Sequence, residues 1–281
     1  MTRALARAQE VGNRRAESLC YHALGAVQYL RGEWSGSREA FNQSVSLAWD
    51  VGATFGVVLG EQRLALLETG LGRLDEARER LLRVLDIARN SDNMMVQVHS
   101  FTRVLSTLCL NRLEAGDLAG ATDYLAQGLA SQQETGECIP CDALLYPAAV
   151  PVYIGLGDMD RAKWACARAE DTAATFGSLA WSAVTSHLRG ILASASGDSE
   201  SAALNLRRAL EQFQELEQPY DVASTLEALG DLAGSPAKEQ SGDVDSRDCF
   251  ERALETYRML GARPGEERVT AKLAEVIRHP H

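Results

Sequence analysis

A glycine-centred turn recurs along this chain and fixes most of what it can become. It reads RGEWSGSREAF from residue 31, LGRLDEARERL from 71, AGDLAGATDYL from 115, LGDMDRAKWAC from 156 and SGDSESAALNL from 196. The turn glycines Gly32, Gly72, Gly116, Gly157 and Gly197 are spaced by 40, 44, 41 and 40 residues. A looser sixth copy, SGDVDSRDCFERAL, aligns on Ser241. Five residues after the turn come Ser37, Ala77, Ala121, Ala162, Ala202 and Ser246, all small. Nine residues after it come Phe41, Leu81, Leu125, Cys166, Leu206 and Phe250, all apolar. Twelve residues on, Ser44, Val84, Gly128, Ala169, Ala209 and Ala253 are nearly all small. Spacings of 3, 4 and 7 put these positions on one face of an α-helix, with small residues admitting a neighbouring backbone.

Another helical segment precedes each turn, as in AESLCYHALGAVQYLRG and FTRVLSTLCLNRLEAG. Each unit therefore reads as helix A, a short turn, then helix B. Asp117, Asp158 and Asp198 follow the turn glycine, where a carboxylate caps helix B and meets its dipole. No alternating β-branched runs or hairpin turns occur, so the expected fold is all-α.

The Leu24-Gly25 pair in helix A, the turn at Gly32 and the small–large–small order of helix B resemble the tetratricopeptide repeat (TPR), and Leu229-Gly230 repeats the helix A mark. The likeness spans nearly the whole chain and departs in its period, about 40 residues against 34. Long repeats of this kind resemble the C-terminal superhelices of large bacterial transcription regulators of the maltose-activator and antibiotic-regulatory types. Similar ones occur in polarity scaffolds and kinesin light chains. The resemblance implies a right-handed superhelical solenoid of antiparallel helix pairs.

The expected division is residues 1–12 as the second helix of an incomplete repeat or an N-terminal cap, since Gly12 falls in phase with Gly52 and Gly136. Six helix pairs follow at 13–52, 53–90, 91–136, 137–177, 178–218 and 219–261, then a capping helix and tail at 262–281. A polar loop at 234–246 interrupts the last repeat. In the capping helix, Glu266, Glu267, Lys272, Glu275 and Arg278 are expected to face solvent. The opening half-repeat has two readings, a chain continuing a longer protein or a genuine cap.

The formal net charge of −11 repels phosphate backbones, which argues against direct nucleic-acid binding while leaving room for a local basic patch. The uncharged stretches ALLYPAAVPVYIGLG and TAATFGSLAWSAVTSHL fall short of the ~20 residues of a membrane span. Charged residues break up the first fifteen positions, so no signal-peptide core is present and a cytoplasmic location is expected. Six scattered cysteines suit small buried hydrophobes in a reducing compartment.

Cys138-Ile-Pro-Cys141 is the one short motif with reactive potential. It lacks the βαβ setting of a redox pair. A zinc site asks for about four ligands, and no second CxxC or paired histidines follow at usable spacing. Cys166 is a candidate third sulfur. Ordinary loop thiols are the simplest reading, with Cys138 and Cys141 the weak metal candidates. Pro147 and Pro151, four apart within the following helix A, are expected to kink it. His22 and His187 stand ten residues before their turns, and Gln62, Ser106 and Pro147 hold that position between them. The TPR resemblance implies that this row faces an inner, concave groove. His22, Tyr29, Gln62, Arg103, Ser106, Tyr146, Pro147 and His187 are thus the candidate partner contacts. His99 stands alone at the start of a helix A. The four tryptophans read as core or groove packing.

The expected function is a non-catalytic, cofactor-free binding or sensing module, the C-terminal regulatory arm of a bacterial signalling or transcription-regulatory protein. Its partners would be a protein or peptide in the groove, a small-molecule effector, or a second copy of itself, with the acidic surface favouring basic ones. A stand-alone adaptor is the second reading. A thiol redox or metal sensor at Cys138 and Cys141 is the third.

Overall fold

The protein is described here from a computed structural model covering residues 2–136, 138–234 and 245–278. The looser turn at Ser241, most of the expected 234–246 loop and the last three residues of the tail, 279–281, lie outside the described residues. Fifteen α-helices and no strand occur among those described, so the fold is all-α. None of these helices is long and apolar enough to cross a membrane. The chain divides into two compact units, residues 1–145 and 146–281.

The first unit contains α1 (Thr2–Glu10), α2 (Arg14–Leu30), α3 (Trp34–Asp50), α4 (Thr54–Gly70), α5 (Leu74–Arg89), α6 (Met94–Glu114), α7 (Leu118–Thr135) and the single turn α8 (Ile139–Asp142). The second contains α9 (Leu145–Gly155), whose first residue closes the first unit, then α10 (Met159–Phe176), α11 (Leu179–Ala195), α12 (Ser199–Glu215), α13 (Pro219–Ala233), α14 (Ser246–Leu260) and α15 (Arg263–Arg278).

The turns form for the reason their sequence suggests. At the end of α2, Gly32 takes φ 76°, which an L side chain rarely adopts. Its N–H donates to the Tyr29 carbonyl and that of Glu33 to Gln28, so both orphan carbonyls are satisfied. The long-range bond recurs from Arg73 to Glu68, Asp117 to Arg112, Asp158 to Tyr153 and Asp198 to Ala193. The capping aspartates act as expected, Asp117, Asp158 and Asp198 accepting from the N–H groups of Gly120, Arg161 and Ser201.

In three of the pairs, α2–α3, α11–α12 and α13–α14, one contact repeats. A Cβ on Gly25 would stand 2.8 Å from the Phe41 ring, one on Gly190 2.5 Å from Leu206, and one on Gly230 2.5 Å from Phe250. Only glycine lets helix A approach that closely where helix B carries a large side chain. Phe41 is fully enclosed by this contact, worth about 1.5–3 kcal/mol for such a ring. Ala65 lies the same distance in sequence before Leu81, and both are wholly buried. The first helices also meet those of neighbouring pairs, α2 on α4, α4 on α6 and α11 on α13. Hence α4 is buried on most sides, whereas α5 buries only the stripe of Ala77, Leu81, Val84, Leu85 and Ala88.

Three expectations need correction. The fourth helix A is not one kinked rod but the separate helices α8 and α9, and Pro147 sits in the first turn of α9, where a missing N–H costs little. Only Pro151 is interior. Lys272 does not face solvent alone, for its ammonium bonds Glu227 and Asp231. Glu266 likewise pairs with Arg258. Among the tryptophans Trp34 is buried, while Trp49 and Trp164 are exposed rather than core.

Candidate functional site

The row read as partner-facing proves mixed. Gln62 and Ser106 are buried, at 1% and 0% exposure. The Ser106 hydroxyl donates to the Thr102 carbonyl. Gln62 Nε2 donates to Thr107 Oγ1 at 2.7 Å, because the Thr107 proton already goes to the Arg103 carbonyl. The Gln62 Oε1 is left buried with no partner. Tyr146 is buried against Trp164, with Arg168 over its ring and Arg168 Nε donating to its hydroxyl. Pro147 is half-buried. In the second unit, His187 Nδ1 lies 3.0 Å from Thr225 Oγ1. The Thr225 proton goes to the Asp221 carbonyl, so Nδ1 carries the imidazole proton. Burial pushes the His187 pKa down to about 4.

The first unit instead gathers cations on its helix A segments. His22 on α2 tilts against Phe41, their ring centroids 5.7 Å apart. Its pKa falls to about 4, first through burial and then through the charges of Arg63 and Arg103. Arg63 on α4 is lowered too, by burial and then by Arg103, with Tyr29 acting the other way. These groups therefore share one electrostatic neighbourhood. Arg63 makes no hydrogen bond or ion pair with any described residue. Its helix carries two glutamates, but Glu61 and Glu68 both pair with Arg80, Glu68 through a double hydrogen bond of 3.0 Å on each arm. Residues two and five positions away point to other faces of an α-helix. Arg103 on α6 donates to the Pro140 carbonyl at 2.5 Å, and its Nε is buried without a partner. Tyr29 stacks on Trp34 at 5.9 Å.

A cavity of about 300 Å³ adjoins His22, walled also by Ser18, Thr54, Phe55 and Asn93, with the exposed Arg15 among its lining. A guanidinium always carries its charge, so Arg63, together with the Nε of Arg103, offers donors for which the described residues supply no anion.

His99 is not isolated. It stands in the first two turns of α6, with Nδ1 3.1 Å from both Cys138 Sγ and Cys141 Sγ. Cys166 does not join this group but faces Glu170 Oε1 at 3.7 Å, and burial raises its thiol to about 12. Sequence reading missed Arg63 and His99. The signal for Arg63 was present, as the lone cation of a nearly apolar helix A.

No protein-family model matches the chain, and no curated protein matches it. Among solved structures it is similar to BtubC (BKLC) from P. vanneervenii, a helical-repeat protein, with 21% identity and a TM-score of 0.55. The match covers 83% of this chain and 91% of that one. At such identity the likeness is one of fold, an all-α helical repeat.

Proposed function

We propose that this chain is a non-catalytic, TPR-like binding module whose first unit holds a carboxylate-bearing peptide through Arg63 and Arg103. The observation that carries the reading is Arg63, half-buried within the electrostatic reach of a second arginine and a neutral histidine, with no counter-ion among the described residues. An unpaired charge withdrawn from water raises the energy of the free protein. A bound carboxylate removes that penalty through charge-assisted, two-pronged hydrogen bonds. Tyr29 adds a ring and hydroxyl at the same place, and the cavity beside His22 offers room for an apolar neighbour of the anion. The acidic surface then acts against the anion at long range, so the contact is short-ranged and selective rather than steered.

Calorimetric titration with peptides ending in a free carboxylate, against the same peptides amidated, tests this. Binding should depend on the carboxylate and fall at least tenfold in Arg63→Ala and in Arg103→Ala. Equal binding of amidated peptides, or full affinity in both variants, defeats the reading.

The long repeat period favours a sensory arm of a larger regulator over a stand-alone adaptor. The mass of the native protein in its source cells separates the two, a value clearly above 30.5 kDa supporting the arm.

A further inference from the structure

We propose that Cys138, Cys141 and His99 form a zinc site with its fourth position open. Three observations converge on it. The CxxC spacing is that of a chelating turn, here closed by the Cys141 N–H donating to the Cys138 carbonyl at 2.8 Å. The packing of α8 on α6 brings His99, 39 residues before the first cysteine, to the same point. Its Nδ1 is equidistant from the two sulfurs, 3.1 Å from each, and the sulfurs are 2.8 Å apart.

One imidazole nitrogen has a single proton or a single lone pair, so it cannot serve two thiols equally by hydrogen bonding. A cation at the centre of the triangle satisfies all three atoms at once. The sulfur separation exceeds the ~2.05 Å of a disulfide, and a disulfide gives the imidazole no role. Tetrahedral zinc, with Zn–S of about 2.3 Å and Zn–N of about 2.0–2.1 Å, would spread the three atoms to roughly 3.5–3.8 Å. The single-turn helix α8 can supply that movement. Two thiolates and an imidazole are a soft-to-borderline set, which suits zinc and disfavours magnesium or calcium. The thiol protons leave to solvent as the thiolates bind, and the two negative charges balance the cation. His99, Cys138 and Cys141 are the only three-residue ligand group found among the described residues, so water or an external donor completes the shell.

The bond from Arg103 to the Pro140 carbonyl lies inside the chelating turn. Zinc would therefore tie the first turns of α6 to α8 and fix the turn on which Arg103 leans.

The test uses the full chain, reduced, stripped with a chelator and titrated with zinc alone or with cobalt(II) as the optical probe. One equivalent of zinc should bind, and cobalt should give thiolate charge-transfer and tetrahedral d–d absorption. Cys138→Ser, at the half-buried and thus more tolerant sulfur, should abolish the cobalt spectrum with helix content unchanged by circular dichroism. His99→Gln should weaken zinc at least tenfold. The proposal is overturned if reduced protein binds no zinc, if the thiols prove to be an oxidised pair indifferent to metal, or if either folded variant binds as tightly as the parent.

Discussion

One withdrawn charge in each of the two units shows opposite treatment. In the second, Glu227 is surrounded by its own partners. Arg268 reaches both carboxylate oxygens at 3.2 Å, Lys272 bonds one at 2.9 Å, and the Tyr257 hydroxyl donates to the other at 3.0 Å. Burial, the largest influence, would raise the Glu227 pKa, yet the charges and hydrogen bonds of Arg268 and Lys272 together hold it below the usual carboxylate range. In the first unit, Arg63 has nothing comparable, and its neighbours Arg103 and His22 deepen the imbalance. A compensated buried charge is a structural joint, here fastening α13 to α14 and α15. An uncompensated one is a position where the chain gives up stability, and such positions concentrate where ligands bind.

Breaking the compensated network should have the largest effect. Glu227→Ala removes the acceptor that Arg268, Lys272 and Tyr257 share, and should destabilise the second unit by about 2–3 kcal/mol in urea unfolding. That is below the range for fully buried pairs, because Arg268 and Lys272 keep part of their hydration. A loss under about 0.5 kcal/mol would erase the contrast between Glu227 and Arg63.

The converse change should go the other way. Arg63→Leu keeps the apolar stem and removes the stranded charge, so it should stabilise the protein by about 1 kcal/mol while abolishing carboxylate binding. Destabilisation by a similar amount would mean that Arg63 is held by the fold after all.

The smallest effect is a pH dependence. The His22 pKa is about 4 folded and 6.5 as its ordinary value, so the unfolded chain binds the proton first as pH falls. Its contribution to stability is complete above pH 6.5 and is lost progressively toward pH 4, at most about 1.4 kcal/mol per pH unit for one group. His22→Gln should flatten the part of the thermal-melt profile between those limits that His22 causes. A saturating carboxylate peptide should reduce it too, since a bound anion favours the imidazolium. His187, pushed down to about 4 by burial with Glu227 acting the other way, should keep its own acid sensitivity whether or not peptide is present.

Much of the local architecture could be read from residue types alone. The turn glycines, the capping aspartates and the Gly25–Phe41 kind of contact each follow from a local requirement: a positive φ, an orphan N–H, or a backbone approach that admits no Cβ. Those requirements act over at most a few turns of helix, which is the range a repeating pattern exposes. The fourth helix A was harder, because two prolines signal disruption but not where a helix restarts. The candidate row was harder still. Helical spacing places Gln62 beside Arg63, yet it cannot tell which of the two points into the stack of first helices and which stays unpaired among the cations.

What the sequence determined by itself was therefore the all-α class, the helix-pair repeat and the chemistry of its turns, since each depends on residues near one another in the chain. What only tertiary structure decided was which charges found partners and which donors met. Arg80 takes both glutamates of α4 and so strands Arg63, and α8 packs on α6 and so sets His99 against two thiols. These outcomes depend on how side chains from separate helices compete for the same neighbours, and no local pattern encodes that competition.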